Sequence, residues 1–283
     1  MTVATICNAM TIDVEDYFQV SAFAPHINRN SWDERECRVE RNVERILCML
    51  AAHDVCATFF TLGWVAERYP AMVRRIVADG HELASHGYAH RRANEQSPRE
   101  FHDDVATAKK ILEDIGGVEV KGYRAPSFSI GEENLWALDT LLETGYRYSS
   151  SIYPIVHDHY GMPSAPRFAF RAGHAKRLLE VPATTINLLN RNLPASGGGY
   201  FRLLPYRVSR WSIRRVNEKD GEPCVFYFHP WEIDPDQPKQ HGVTWKTSFR
   251  HYVNLSRMEA RIHWLLRDFQ WGRMDRIFLE GNR

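Results

Sequence analysis

The spacing of apolar positions changes repeatedly along the chain, and each change marks an element. Residues 9–14 form a short apolar run of strand length. Over 38–53 the apolar positions Val39, Val43, Ile46, Leu47 and Leu50 recur with a helical period. Residues 55–62 are β-branched and aromatic, which predicts a second strand, and 64–79 predicts a helix that stops at Gly80. A strand is expected over 81–85. The next helix opens on Ser97, Pro98 and Glu100 (N-cap, first helical residue and capping-box partner) and ends at Gly116 and Gly117. Residues 118–123 and 146–152 read as strands around a helix over 132–143. Strands alternating with helices across short connections argue for βαβ units around a parallel sheet or barrel.

The second half is less regular. Residues 154–166 are rich in Pro, Gly and His and predict a long loop, with His157, His159 and Tyr160 as a lip over a site. After it come a strand over 178–184, the glycines Gly197, Gly198 and Gly199, a helix over 204–216, a strand over 224–228 and a last helix over 256–269. The glycine triplet is a candidate opposite wall, where bare backbone approaches a ligand closely. No internal repeat is visible. One domain over 1–283 is expected, with core motifs in 9–152 and an extension over 153–283 that completes the sheet.

Four segments carry candidate chemistry, and each follows a predicted strand. Asp13, Glu15 and Asp16 put three carboxylates within four positions, where mutual repulsion calls for a positive partner. His86 and His90 stand four apart, so in one helical turn both rings reach the same ion. Two His and one carboxylate with an open position form a catalytic pattern for a divalent metal. Zn²⁺ comes first, and Co²⁺, Fe²⁺ and Ni²⁺ also suit it. Glu15 is favoured as the third ligand if the strand continues, and Asp16 if it turns. Arg124, in Arg-Ala-Pro-Ser-Phe, cannot lose its proton and is a natural partner for Asp13. The apolar strand before His229-Pro230-Trp231-Glu232 delivers His229 at its end.

Composition narrows the class. The formal charge is +1 over 283 residues, so no basic field argues for nucleic acid. No run approaches the length of a membrane span. Five cysteines without a C-x-x-C pair indicate neither a disulfide framework nor a cysteine zinc site. With no basic, apolar leader at the N-terminus, the expected compartment is the cytoplasm. Association into a homo-oligomer stays open. Aromatics reach 12% with eight Trp, a composition that suits both sugar platforms and ordinary cores.

Taken together, the four segments resemble the polysaccharide deacetylases of the NodB-homology type, carbohydrate esterase family 4. The stretch 10–90 is similar throughout, including Ala57-Thr58-Phe59-Phe60 and Gly63. Asp-Val-Glu-Asp-Tyr-Phe, Tyr-Ser-Ser-Ser-Ile-Tyr-Pro, His157 to Gly161 and His-Pro-Trp-Glu look like the branch found in exopolysaccharide loci, which carries a C-terminal extension. The resemblance implies an α/β fold, a distorted (β/α) barrel with fewer than eight regular units. It implies a hydrolase that removes N-acetyl groups from an amino-sugar glycan. In that reading Asp13 is the base, Arg124 its partner and His229 the acid; the metal sits on His86, His90 and Glu15 or Asp16, and Phe128, Tyr160 and Trp231 meet substrate. The backbone N–H of Phe128 is a candidate oxyanion donor.

Three departures stand out. The usual adjacent Asp pair is spread over Asp13, Glu15 and Asp16. Gly87 replaces a hydroxyl residue. The acid that orients the late His is missing from Ser149-Ser150-Ser151, leaving Asp158, Glu180 or Glu232 to substitute. The alternatives are an allantoinase-like hydrolase of a small or cyclic amide, and an inactive glycan-binding protein.

Overall fold

The computed structural model describes residues 6–157 and 160–280. The first half runs β1 (Cys7–Val14), α1 (Val39–Ala51), β2 (Thr58–Thr61), α2 (Gly63–Arg68), α3 (Pro70–Ala78), β3 (Glu82–Ser85), α4 (Pro98–Gly116), β4 (Gly122–Tyr123), α5 (Trp136–Glu143) and β5 (Tyr148–Ser149). The second continues with β6 (Phe170–Ala172), β7 (Leu178–Glu180), β8 (Thr185–Leu188), β9 (Arg191–Pro194), α6 (Gly198–Leu203), α7 (Tyr206–Arg215), β10 (Val225–Phe228), α8 (Trp245–Tyr252), α9 (Leu255–Asp268) and β11 (Gln270–Gly272).

The main sheet has the order β10-β1-β2-β3-β4-β5-β7-β6, and β11 pairs with the start of β1. Every pairing is parallel except β6 with β7. The sheet curls into an open half-barrel, a mixed α/β fold with fewer than eight regular units, as expected. At the open seam the chain beyond β7 approaches β10, where the Val225 N–H donates to Thr184 Oγ1 at 2.6 Å.

Alternation along the strands makes inward rows. Ala9, Phe60, Ala84, Tyr148, Leu179, Val181 and Val225 form one apolar cluster between the curled strands. The larger cluster, with Met10, Ile12, Phe59 and Leu83, packs the opposite face under the helices. Two residues on from the inward set stand Thr11 and then Asp13 on β1, His86 after β3, and Tyr227 on β10 with His229 just past its end. The period of two thus carries these side chains to the C-terminal mouth.

Several predicted elements shift for identifiable reasons. The helix over 64–79 divides into α2 and α3, because Pro70 has no N–H and Tyr69 before it leaves helical geometry at φ −123°, ψ 57°. Pro205 delays the helix over 204–216 to Tyr206. The Gly-rich start of α6 gives no helix signal in sequence. The predicted capping box at Ser97 and Glu100 forms as read, with Gly117 closing α4 at φ 65°. Among the described residues no helix is long and apolar enough to cross a membrane.

Candidate metal centre and catalytic cleft

Three ligand atoms, one each from Glu15, His86 and His90, lie within 4.8 Å of one another, and all three residues are buried. Each arrives by a different local device. Glu15 follows the end of β1, where its N–H donates to the Asp13 carbonyl at 3.0 Å. His86 extends β3, its N–H still donating to the Thr61 carbonyl at 3.0 Å. The two histidines do not share the helical turn that their spacing suggests. The chain turns through Gly87 at φ 79° and His90 at φ 51°. A glycine at position 87 suits this turn. Its φ is left-handed, and a Cβ there would lie 2.8 Å from Asp104 Oδ2.

The donor set fits a divalent cation. The His86 Nδ1–H donates to the Arg124 carbonyl at 2.8 Å, which fixes the tautomer and leaves Nε2 free. Burial pushes the His86 ring down to about 4, so it is neutral, as a ligand must be. Burial by itself would raise the Glu15 carboxyl, but His90 and His229 beside it hold it well below the usual range. Glu15 Oε2 lies 2.7 Å from His90 Nε2. The contact lacks hydrogen-bond geometry, so this buried oxygen has no donor directed at it. A shared ion would satisfy both atoms.

Asp16 does not join this group. Its carboxylate accepts from the N–H groups of Tyr17 at 2.8 Å, Arg38 at 2.5 Å and Val39 at 2.8 Å, and so caps the start of α1. The choice left open by the sequence therefore falls to Glu15 on placement, because the chain turns Asp16 toward the helix.

Asp13 stands beside the triad. The fully buried Arg124 donates from Nη1 to Asp13 Oδ1 at 2.6 Å and to Thr11 Oγ1 at 2.8 Å. Arg124 also bonds the Ser150 carbonyl at 3.2 Å and hydroxyl at 3.1 Å, and its guanidinium lies 4.1 Å over the Phe60 ring. From the other side, His229 Nε2 lies 3.6 Å from Glu15 Oε1 and 3.9 Å from Asp13 Oδ2. Burial alone would lower the His229 ring, but Glu15, Glu232 and Asp13 beside it raise it to about 9.

The Trp231 Nε1–H donates to Glu15 Oε1 at 3.1 Å, and its ring is stacked between His229 and His251 at 5.2 and 4.2 Å. Tyr160 stacks on His157 at 3.9 Å and on Tyr153 at 6.0 Å, and both His157 and Tyr160 line the cleft. Asp158 and His159 lie outside the described residues. Phe128 lines the cleft with its ring, but its N–H already donates to the Ala125 carbonyl at 3.0 Å. It is not the free oxyanion donor that the sequence suggested. Ser127 and Phe128 both hold left-handed backbone, at φ 55° and 49°, a costly conformation for consecutive non-glycine residues.

Asp13, Glu15, His86, His90, His229 and Trp231 all line one cleft of about 1050 Å³. Sequence reasoning passed over one of its walls. Residues between β1 and α1, including Phe18, Ser21, Ile27, Arg29 and Trp32, border the cleft. Arg29 ties this segment to the carbonyls of Ala89 at 2.9 Å and His90 at 3.1 Å, and Ser127 donates to Ser21 Oγ at 2.6 Å. Its short turns carry no periodic signal. Thr247, Arg250 and His251 on α8 also border the cleft. The glycine triplet does not. A Cβ at Gly197 would meet the Tyr227 ring and one at Gly198 the Glu232 carboxylate, so these glycines admit protein side chains, not a ligand.

Residues 31–149 match the family model for polysaccharide deacetylases, and residues 150–279 match a domain of unknown function, DUF3473. The chain carries a polysaccharide deacetylase domain with a C-terminal DUF3473 extension. Among curated relatives, a peptidoglycan-N-acetylglucosamine deacetylase of Bacillus cereus is 35% identical over 96 residues, 34% of this chain and 35% of that protein. A chitooligosaccharide deacetylase of a Bradyrhizobium species is 40% identical over 67 residues, 24% of this chain and 31% of that protein. The chain thus spans about a third of the length of these relatives. In overall fold it resembles a Mycobacterium smegmatis structure assigned to the polysaccharide deacetylases, with TM-score 0.63 at 20% identity over 98% of this chain and 90% of that one. An allantoinase is similar at TM-score 0.61 and 15% identity, over 95% and 87% of the two chains. Arg124 lies in the deacetylase domain; Tyr160, His229, Trp231 and Glu232 lie in the extension.

Proposed function

We propose that the protein is a metal-dependent N-deacetylase of an acetylated amino-sugar glycan, acting in exopolysaccharide synthesis or modification. The observation that carries this reading is the convergence of Glu15, His86 and His90 beside an Arg-paired Asp13, with His229 facing them across one cleft. A binding protein needs no such set of a base, a proton donor and an ion site. Glu15, His86 and His90 would hold the ion. When bound there, a divalent cation supplies Lewis acidity and an acidified water.

The protein's own residues account for the remaining steps. Asp13 accepts a proton from the attacking water, and Arg124 keeps it aimed through the Nη1–H bond to Oδ1. Trp231 holds Glu15 by its indole N–H, leaving the second carboxylate oxygen for the ion. As the amide C–N bond breaks, its electron pair stays on nitrogen and His229 Nε2 delivers a proton there. The products are acetate and a free amino sugar. Tyr160 and Phe128 supply apolar lining to the part of the cleft where a sugar ring would lie.

Acetate release from an N-acetylglucosamine oligomer series tests the reading, with a cyclic amide such as allantoin as the control. kcat/KM is expected to rise with chain length, because remote contacts raise turnover only where subsites exist. A flat series, or preference for the cyclic amide, would instead favour the allantoinase-like alternative. Chelation is expected to abolish activity, and Zn²⁺ or Co²⁺ to restore it.

A further inference from the structure

A histidine at the end of a strand can spin about its Cβ–Cγ bond, and only some orientations direct Nε2 toward Asp13 and Glu15. In this protein the ring is tied from behind. His229 Nδ1 lies 2.7 Å from Glu232 Oε1, which also accepts the His229 backbone N–H at 3.1 Å. Glu232 cannot swing away, because Oε2 takes the Arg202 Nε–H at 2.6 Å. Arg202 is anchored in turn by the carbonyls of His251 at 2.7 Å, Val253 at 2.9 Å and Arg250 at 3.2 Å. Arg202 and Glu232 are both buried. A buried ion pair of this kind is seldom a source of stability, which directs attention to what it positions.

The space for this pair is made at one backbone position. A Cβ on Gly198 would lie 1.9 to 2.2 Å from three atoms of the Glu232 carboxylate. The next residue, Gly199, faces open space. Among the described residues, the other candidates for orienting His229 are occupied. Glu180 accepts the N–H groups of Ser151 and Ile152 at 2.9 Å each, and the hydroxyls of Ser150 and Ser151 serve Arg124 and the Ala125 N–H.

We propose that the extension supplies a positioning device for the proton donor: Arg202 and Glu232, admitted by the missing side chain at Gly198, lock the His229 ring so that Nδ1–H faces Glu232 and Nε2 faces the cleft. Glu232 and Arg202 are positioning residues that act through His229. This rests on the reading of His229 as the donor to the leaving amine. It gives the DUF3473 segment a definite task, since all three residues and Gly198 belong to it.

Glu232→Gln, Gly198→Ala and Gly199→Ala test the device. Two substrates are compared, an N-acetylated chitooligosaccharide and p-nitrophenyl acetate, whose phenolate leaves without protonation. With Glu232→Gln and Gly198→Ala, kcat on the glycan is expected to fall about 10²-fold or more, with KM nearly unchanged. Ester turnover and bound metal should hold, and Gly199→Ala should match the parent. Alanine favours helix equally at both glycines, so a loss confined to position 198 isolates the clash with Glu232. Independently of activity, proton NMR is expected to show a protected, downfield Nδ1 proton of His229 in the parent and in Gly199→Ala. That proton should vanish in Glu232→Gln and Gly198→Ala. If Gly198→Ala fails to fold, Glu232→Gln alone decides. Survival of the ring proton in Glu232→Gln, or parallel loss on amide and ester, overturns the proposal. If the parent deacetylates no glycan, the functional reading falls, and the ring proton still decides this inference.

Discussion

Two buried glutamates at opposite ends of the half-barrel show how much neighbours matter once burial is equal. Glu15 lies at the mouth beside His86, His90 and His229, and its carboxyl is held below the ordinary range despite burial. Glu82 opens β3 at the other end. Burial and the nearby Asp275 raise its carboxyl above the usual 4.5. Thr58 donates to Glu82 Oε2 at 2.6 Å, the Asp275 N–H donates to the same oxygen at 3.1 Å, and Tyr148 donates to Oε1 at 2.9 Å. Glu82 therefore has a donor for each oxygen and does not line the cleft, whereas Glu15 keeps one oxygen without a donor inside it. A perturbed carboxyl marks a site of chemistry only when it comes with an unsatisfied atom and access.

The contrast is broken most severely at the mouth. Glu15→Gln and His90→Ala are each expected to lose the metal, read by elemental analysis, and with it all deacetylase activity. Added Zn²⁺ or Co²⁺ should not restore either variant. Full occupancy in either would remove that residue from the ligand set.

Next in size is Asp13, the proposed base. Asp13→Asn should keep the metal and lose about 10²–10⁴-fold in kcat. Arg124→Ala strips the partner from a buried carboxylate, so destabilisation of about 3–5 kcal/mol is expected in urea melts. The kinetic losses of Asp13→Asn and Arg124→Ala should be far from additive in the double variant, because one residue acts through the other. Simple addition would mean that Arg124 does not serve Asp13.

Smaller effects sharpen the division of labour between neighbours in sequence. Asp16→Asn should cost about 1–2 kcal/mol by weakening the start of α1, and leave metal content unchanged. Loss of metal there would return Asp16 to the ligand set.

The mildest test is at the far end of the barrel. Because the Glu82 carboxyl is raised in the folded state, its contribution to stability is complete below the ordinary value of 4.5 and is lost as pH rises through the raised one. Glu82→Gln keeps an acceptor for Thr58 and cannot ionise. It should therefore melt about 2–4 °C above the parent at pH 9 and lose that advantage at pH 4. A difference independent of pH would show that Glu82 does not titrate in the folded state. Asp275, held low first against burial by Arg273 and Lys121, acts in the opposite sense and weakens the fold in acid.

Much of the site was legible before any fold was known. Strand-end positions are readable from apolar runs, so Asp13, His86, Arg124 and His229 could be set at one mouth, and the pattern of two histidines with a carboxylate pointed to a divalent metal. The capping box at Ser97 and the stops at Gly80 and Gly117 were equally local. The wall between β1 and α1 was not legible, since its shape depends on Arg29 reaching carbonyls 60 and 61 residues away. Nor was the hairpin of β8 and β9, whose turn residues Leu189 and Asn190 take φ of 50° and 59° without a glycine to signal it.

The sequence by itself determined which side chains a period of two would carry to the end of each strand, because that alternation is a property of the extended backbone alone. Tertiary structure decided what each of them does there. Glu15 and Asp16 are adjacent and chemically alike. Asp16 became a helix cap because amides 22 and 23 residues away close on it, and Glu15 was left facing two histidines. Gly198 is likewise a bare helix position until the fold sets Glu232 against it. Such choices depend on which distant groups fill the remaining space, and no local pattern of residues encodes that.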